Sequence, residues 1–363
     1  MTRPTRIHIH LDRLAHNCRL VRKLHPGPVL AVIKANAYVH GDVLCAKTLA
    51  PLVDGFAVAS LEEACRLRDA EVQLPILLLA GIFDPAEMEM VLTHGLTPVV
   101  HASWQIDVLR NASIKSPMPV WLKVDTGMHR LGFLPEHVLP AFQSLTHGGK
   151  VGPVILMTHF ANADTSDDAL LQEPLRKFRH VLGQLPPVET SLSNSGVLLG
   201  HPQIQGDWAR PGLMLFGVDP AAPGAATRQE LQPVMRLTSC VSAERTIDVG
   251  ESVGYGSRFT AQRRTRVGVI PCGYADGYPR SAPEGMPIQV GNTLAPLIGR
   301  VSMDMLTVDL TDMPQAGIGT PVELWGDSVA VSTVASASGT VAYEVLCQAR
   351  RAAVQVHWAG DMP

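Results

Sequence analysis

No stretch of this 363-residue chain is apolar for long. The longest such run, Pro75 to Phe83, falls far short of the ~20 residues that cross a bilayer. Lysine and arginine form no block and the net charge is −3, which excludes a basic nucleic-acid footprint. Met1 to Leu11 alternates polar and apolar residues and lacks the apolar centre of a signal peptide. These absences set the expectation of a cytoplasmic protein that works on neither nucleic acid nor membrane. The six cysteines (Cys18, Cys45, Cys65, Cys240, Cys272 and Cys347) form no C-x-x-C pair, and their spacing offers no zinc site. An even number admits a disulfide framework. In a long apolar chain, however, buried free thiols are the preferred reading. Charged residues are scarce at 17% against 46% hydrophobic, which excludes disorder and supplies a sizeable core. The length fits two domains, or one large barrel with an addition.

From residue 29 to about 217 one unit repeats: a short apolar run, a polar residue, then a longer amphipathic stretch. The runs are Val29–Ile33, Gly55–Ala59, Ile76–Leu79, Thr97–Val100, Val120–Val124, Val154–Thr158, Val188–Leu192 and Ala209–Phe216. Such runs read as strands buried on both faces, and Leu61–Leu67 and Asp168–Leu185 read as two of the helices between them. Eight strand–helix units predict a TIM-type (β/α)8 barrel. The doubly wound alternative wants a glycine-rich first turn, and Lys34-Ala35-Asn36-Ala37-Tyr38 stands there instead. A helix over Asp12–Leu24, with Asp12 as its cap, is expected before the barrel. After about residue 230 helical periods mostly vanish. Val267–Pro271, Pro287–Val290, Met305–Leu310 and Pro321–Trp325 are short runs separated by Gly, Pro and Asp, which predicts a mainly β domain with one helix near Ser332–Gln348. Together these readings give an α/β barrel over 1–228 and a mainly β domain over 229–363. The linker is expected at Pro220–Arg228, and residues 1–11 are a candidate strand joining the second domain.

In such a barrel the active site lies at the C-terminal ends of the strands. Lys34 ends the first run, Lys123 and Asp125 the fifth, Thr158-His159 the sixth and Ser193-Asn194-Ser195 the seventh. Arg210 and Gly212 lie in the eighth. Ionisable groups after buried runs are costly unless paired, so several at one mouth point to a polar pocket. The chain has seven lysines, and only Lys34 and Lys123 end strongly apolar runs. A buried lysine amine is a nucleophile toward aldehydes, although an isolated strand-end lysine more often snorkels to water. His159 alone is more often a hydrogen-bonded core residue, and Arg210 alone a structural ion-pair partner. Ser195-Gly196 and Gly212-Leu213 offer backbone N–H groups that suit a phosphate. Tyr255, between Gly254 and Gly256, is a candidate acid/base if cations lower its pKa, or else an ordinary turn tyrosine.

In this order, these residues resemble the alanine racemase family, which depends on pyridoxal 5'-phosphate. Ala31-Val32-Ile33-Lys34-Ala35-Asn36-Ala37-Tyr38 resembles its cofactor-lysine motif, and the run Lys123 to Gly132 its substrate-arginine motif. Thr158-His159-Phe160-Ala161, Asn194-Ser195, Arg210-Pro211-Gly212, Gly254-Tyr255-Gly256 and Ser302-Met303-Asp304 follow in sequence. The resemblance implies interconversion of L- and D-alanine, supplying D-alanine for peptidoglycan. Lys34 would hold the cofactor and act on the D face, with Tyr255 as the base on the L face. Arg210 would contact the pyridine nitrogen, and His159 would link Arg210 to Tyr255. Tyr38, Ser195, Gly212, Leu213 and Tyr343 would hold the phosphate. Arg130 and the Met303 N–H would bind the substrate carboxylate, with Asp304 in support. Lys123 would be carbamylated and orient Arg130. No metal is implied. The resemblance also implies a head-to-tail homodimer in which Tyr255 serves the other protomer's Lys34.

The chain departs from the family pattern at Val39, where glycine is usual, at His129, and after Leu346 in Cys347-Gln348-Ala349-Arg350-Arg351. A pocket closed by Tyr343 and Met303 suits a methyl group, yet serine is only slightly larger, so a broader-specificity racemase is the alternative. A basic amino-acid decarboxylase would want an acid where Arg210 stands. A cofactor carrier with a single barrel domain would lack the residues after the linker.

Overall fold

The computed structural model describes residues 3–165, 167–220 and 230–358. Apolar runs without a polar face must be covered on both sides, and here they pair edge to edge in chain order. The strands Leu30–Val32, Gly55–Val58, Ile76–Leu78, Thr97–Val100, Met118–Lys123, Val151–Met157 and Thr190–Ser191 form a seven-stranded parallel sheet. Between them run helices such as Leu61–Asp69 and Ala169–Leu182. Leu30, Val32, Ala57, Leu77, Val99, Trp121, Ile155 and Met157 form a separate cluster from the inward-facing positions of this sheet.

The eighth strand, expected over Ala209–Phe216, is far shorter. Ala209 bridges in parallel to both Val29 and Ser193, which closes the ring. The Leu30 N–H donates to the Ala209 carbonyl (2.9 Å), and the Arg210 N–H to that of Ser193 (2.8 Å). Pro211 has no N–H to continue the ladder. The chain then winds into a 3-10 helix at Leu213–Phe216, ended by Gly217 at φ 79°. The seventh strand is also trimmed, to Thr190–Ser191. The first helix is Leu11–Leu24, so Asp12 lies within its first turn and faces the helix dipole rather than capping it.

The C-terminal domain is mainly β. Its six-stranded sheet has the order Thr293–Pro296, Pro287–Val290, Pro321–Trp325, Met235–Cys240, Arg6–His10, Ala353–His357. The N-terminal strand Arg6–His10 thus lies between two strands of this sheet, antiparallel to Met235–Cys240 and parallel to Ala353–His357. The single helix expected near Ser332–Gln348 is two, Val331–Ala337 and Ala342–Gln348, parted where Gly339 takes φ 74°. The expected linker Pro220–Arg228 lies, apart from Pro220, outside the described residues. All six cysteines are free thiols; Cys18, Cys45 and Cys272 are buried, the other three only partly so. Among the described residues no helix is long and apolar enough to cross a membrane, and no His/Cys/Asp/Glu cluster could hold a metal ion.

Buried Asn17 ties three segments together. Its amide donates to the carbonyls of Leu215 (3.0 Å) and Gln232 (2.8 Å) and accepts from the Gln232 N–H (2.9 Å). Asn17→Ala strands these backbone groups without water, at about 1–3 kcal/mol for each buried group left unpaired. Thermal unfolding should show a marked fall in Tm for Asn17→Ala and none for the exposed Asn111→Ala. An equal Tm for both would refute the tie.

Candidate active site

The first barrel strand ends at Val32, and the chain then turns in an uncommon way. Ala35, Asn36, Ala37 and Tyr38 have φ between 50° and 54°, and Val39 has φ 68°. Left-handed backbone costs non-glycine residues roughly 1–2 kcal/mol each, so the surroundings must hold it in place. The departure at Val39 puts a β-branched side chain where glycine would be unstrained. The turn is tied by the Ala37 N–H to the Ile33 carbonyl (2.9 Å), and by the Asp42 N–H to the Asn36 side-chain oxygen (2.9 Å). Tyr38 is thereby buried, edge-on to Phe216 (5.0 Å) and Tyr343 (5.6 Å). Its hydroxyl lies 2.7 Å from where a Cβ on Gly212 would stand, so any larger residue there would collide with it.

Lys34 opens into a cavity of about 610 Å³ at the barrel mouth, within the usual range for a cofactor site. Lys123, Arg130, His159 and Arg210 also line it, with no carboxylate among the described lining residues. Tyr38, Ser195, Gly212 and Tyr343 form another part of its wall. The Ser195 hydroxyl accepts from the N–H groups of Gly212 (3.0 Å) and Met214 (3.3 Å), so strand end and loop are drawn together beside the bare face of Gly212. Hydroxyls and the bare face of Gly212 thus share one wall of a cation-lined cavity, a lining whose chemistry fits a phosphate ester.

Burial and mutual repulsion act together on Lys34, Lys123 and His159, and burial acts on Arg210. Burial lowers the Lys34 pKa, with the Arg130 charge adding to the effect. Burial and then the Arg210 charge lower Lys123 to about 8. His159 falls to about 3 through burial and then the Arg210 and Lys123 charges, so its imidazole is neutral. Burial lowers Arg210 to about 10, which leaves it charged at neutral pH. The Arg210 guanidinium donates from Nη2 to the Thr158 carbonyl (2.7 Å) and from Nη1 to the Ser191 carbonyl (2.9 Å) and hydroxyl. Among the described residues the Arg210 guanidinium thus takes its acceptors from Thr158 and Ser191 rather than from His159, while the expected leg from His159 to Tyr255 would run between protomers.

Other expected site residues stand apart. Tyr255 is 73% exposed and Met303 53% exposed, and neither lines the Lys34 cavity. Asp304 pairs with Arg351. Leu213 is buried and faces a neighbouring cavity of about 380 Å³, which shares His159, Asn194 and Tyr343 with the first. His129, at φ 54°, is paired with Asp125 (3.3 Å) beside Arg130. The cavity also includes Ala59, Leu79 and Met157, which sequence reasoning passed over although each ends or follows a barrel strand. Cys347 lines it too.

The chain matches two family descriptions in tandem: "Alanine racemase, N-terminal domain" over residues 9–220 and "Alanine racemase, C-terminal domain" over 234–357. It is 52% identical over 349 residues to an alanine racemase of Azoarcus sp. (strain BH72), covering 96% of this chain and 98% of that one. The biosynthetic alanine racemase of Pseudomonas aeruginosa has a similar structure, with TM-score 0.94, 41% identity, and coverage of 98% of this chain and 100% of that one. The Bartonella henselae alanine racemase, solved with covalently bound pyridoxal phosphate, superposes with TM-score 0.89 at 28% identity over 98% of this chain and 99% of that one. Matches across both domains leave the decarboxylase and single-domain carrier readings without support. The chain belongs to the alanine racemase family.

Proposed function

We propose that this chain interconverts L- and D-alanine with two bases on opposite faces of the α-carbon, and that it supplies D-alanine for peptidoglycan from the cytoplasm. The observation that carries the reading is a cavity with Lys34 at its wall, other cations around it and no carboxylate among its described lining residues. That charge pattern fits a bound phosphate and a substrate carboxylate together. Tyr38, Ser195, Gly212, Leu213 and Tyr343 would hold the phosphate of pyridoxal 5'-phosphate, and Lys34 would bind it covalently. When bound, the cofactor withdraws electron density from the substrate α-carbon so that its proton can leave.

The residues divide the remaining work. The Lys34 amine, its pKa lowered by burial, takes and returns the proton on the D face. Arg210 is held on backbone carbonyls and stays charged, so it would face the cofactor's ring nitrogen as a cation, disfavour protonation there and limit side reactions such as transamination. Arg130 and the Met303 N–H bind the carboxylate, with Asp304 in support. Lys123, neutral more often than an ordinary lysine, would add through its amine to carbon dioxide and release one proton to solvent, and the resulting carbamate anion would orient Arg130. We assign the L-face proton to the partner subunit's Tyr255 in a head-to-tail homodimer. The exposure of Tyr255 and Met303 supports that assignment. In this reading residues 1–228 bind the cofactor, and 229–363 supply the second base to the other protomer. Tyr343 and Met303 leave room for a methyl side chain, and serine is the next candidate substrate.

Borohydride treatment of the yellow holoenzyme should fix the cofactor to Lys34 in peptide mapping, and the gene should let a D-alanine auxotroph grow without D-alanine. A fixed adduct on another lysine would sink the assignment.

In Tyr255→Phe, solvent deuterium should still enter D-alanine, while exchange into L-alanine and net racemisation fall roughly 10²–10⁴-fold, the contribution of a positioned base. Mixing inactive Lys34→Ala and Tyr255→Ala protomers should restore part of the activity. Equal exchange of both enantiomers, or no rescue despite subunit exchange, would contradict the shared two-base site.

The Lys123 amine loses its proton as pH rises through about 8, and only the neutral amine takes up carbon dioxide. With 13C-bicarbonate, a carbamate carbon signal should grow between pH 7 and pH 9, on either side of that value. The signal should be absent in Lys123→Ala. Its persistence in that variant would place the carbamate elsewhere.

A further inference from the structure

We propose that Glu63 is a positioning residue for Lys34: by bridging the backbone N–H groups of Ala35 and Ala59, its carboxylate fixes the direction in which the Lys34 side chain leaves the barrel. The inference rests on the proposed role of Lys34 as cofactor-binding base.

Glu63 lies in the first turn of the helix Leu61–Asp69, three residues after Ser60. The local pattern Ser60-Leu61-Glu62-Glu63 is that of a capping box, in which the glutamate would reach back to its own N-cap N–H. The structure places it otherwise. One oxygen of Glu63 accepts from the Ala35 N–H at 2.6 Å, and the other from the Ala59 N–H at 2.8 Å. Ala35 is the first left-handed residue after Lys34, and Ala59 follows the adjacent strand Gly55–Val58. A single carboxylate thus ties the ends of two neighbouring strands at the point where the strained turn begins. Hydrogen bonds to an ionised acceptor are the strong kind.

The same helix holds the far end of the turn. Arg66, three residues on and so on the same helix face, donates from Nε (2.8 Å) and Nη2 (2.5 Å) to Asp42, whose own N–H is bound by Asn36. The left-handed segment is therefore gripped at both ends by one helix. Loosening either end lets Ala35 relax toward the right-handed region and swings Lys34 away.

Glu63 also sets the electrostatics of the amine. Lys34 is faced across the barrel mouth by Lys123 at the end of the fifth strand, Arg130 in the loop that follows it and His159 after the sixth, by Cys347 from the helix Ala342–Gln348, and by Glu63. Glu63 itself is faced by Arg66 on its own helix and by Tyr38. The Glu63 carboxylate opposes the lowering of the Lys34 pKa by burial and Arg130. Its removal should therefore lower that pKa further.

The test compares the wild-type holoenzyme with Glu63→Gln, Glu63→Asp and the exposed neighbour Glu62→Gln. Hydrogen–deuterium exchange, read by mass spectrometry, should quicken in Glu63→Gln only in peptides covering Ala35 and Ala59, because one amide oxygen replaces two carboxylate acceptors. kcat for alanine should fall roughly tenfold or more, as small misplacements of a reacting group do, with KM changed less than about twofold. The acidic limb of the kcat–pH profile should move to lower pH in Glu63→Gln, where the charge is lost, and stay in place in Glu63→Asp, where it is kept. Glu62→Gln should match wild type throughout. Unchanged exchange at Ala35 and Ala59, or a lower kcat without movement of the acidic limb, would overturn the proposal. If Glu63→Gln fails to fold, Glu63→Asp decides: it must quicken exchange at one of the two amides while the limb stays. Racemisation absent from the wild type would refute the function above instead, while the exchange result would still judge the bridge.

Discussion

The barrel mouth has to keep several cations close together, most of them shielded from water, and much else in the structure answers to that constraint. Lys34, Lys123, Arg130, His159 and Arg210 share one cavity. Desolvation and like charge both favour the neutral forms. Arginine cannot yield its proton near neutral pH, so the lysines and the histidine move toward neutrality instead. A site under that pressure gains from anions, and a phosphate, a substrate carboxylate and a lysine carbamate are each of the sign that relieves it. In the proposed reading, cofactor and substrate would thus be part of the electrostatic balance of the site.

Holding such groups still requires a rigid frame. Arg210 is set where the barrel closes, one residue after Ala209 bridges the first and last strands. Its guanidinium is satisfied by the Thr158 and Ser191 carbonyls, which are fixed in turn by neighbouring strand ends. Lys34 is held differently, by a left-handed turn that local preference opposes and the helix Leu61–Asp69 enforces. Strain of this kind persists only when surrounding contacts over-determine it, and it is found mostly where side-chain direction matters to function.

The interleaving of the N-terminal strand with the C-terminal sheet bears on the second half of the site. Arg6–His10 pairs with strands from both ends of the C-terminal domain, so chain ends far apart in sequence share one sheet. Arg3, just before it, forms an ion pair with buried Asp276 and donates to the Pro271 carbonyl (2.8 Å). The loops bearing Tyr274 and Met303 are tied together by the Tyr274 N–H to the Ser302 carbonyl (3.1 Å) and the Ala275 N–H to the Met303 carbonyl (3.0 Å). The exposed Met303 therefore projects from a braced surface.

Much of this was legible in the residue order alone, for one physical reason: a strand buried on both faces must be apolar, so a charged residue at its end stands out. Lys34, Lys123 and His159 were found that way, and the loss of helical period after residue 230 marked the change to β structure. Local pattern misled where distant partners decide. Pro211 ended the eighth strand early, because a ladder depends on an N–H that proline lacks. Gly339 split a helix that periodicity alone continued. Ser60-Leu61-Glu62-Glu63 reads as a helix cap in any window of a few residues, and only folding brings Ala35 within 2.6 Å of Glu63. Sequence by itself determined which side chains are too polar for the core and hence which strand ends form a site. The tertiary structure alone decided how they are aimed, because direction is set by hydrogen bonds between segments that no local pattern connects.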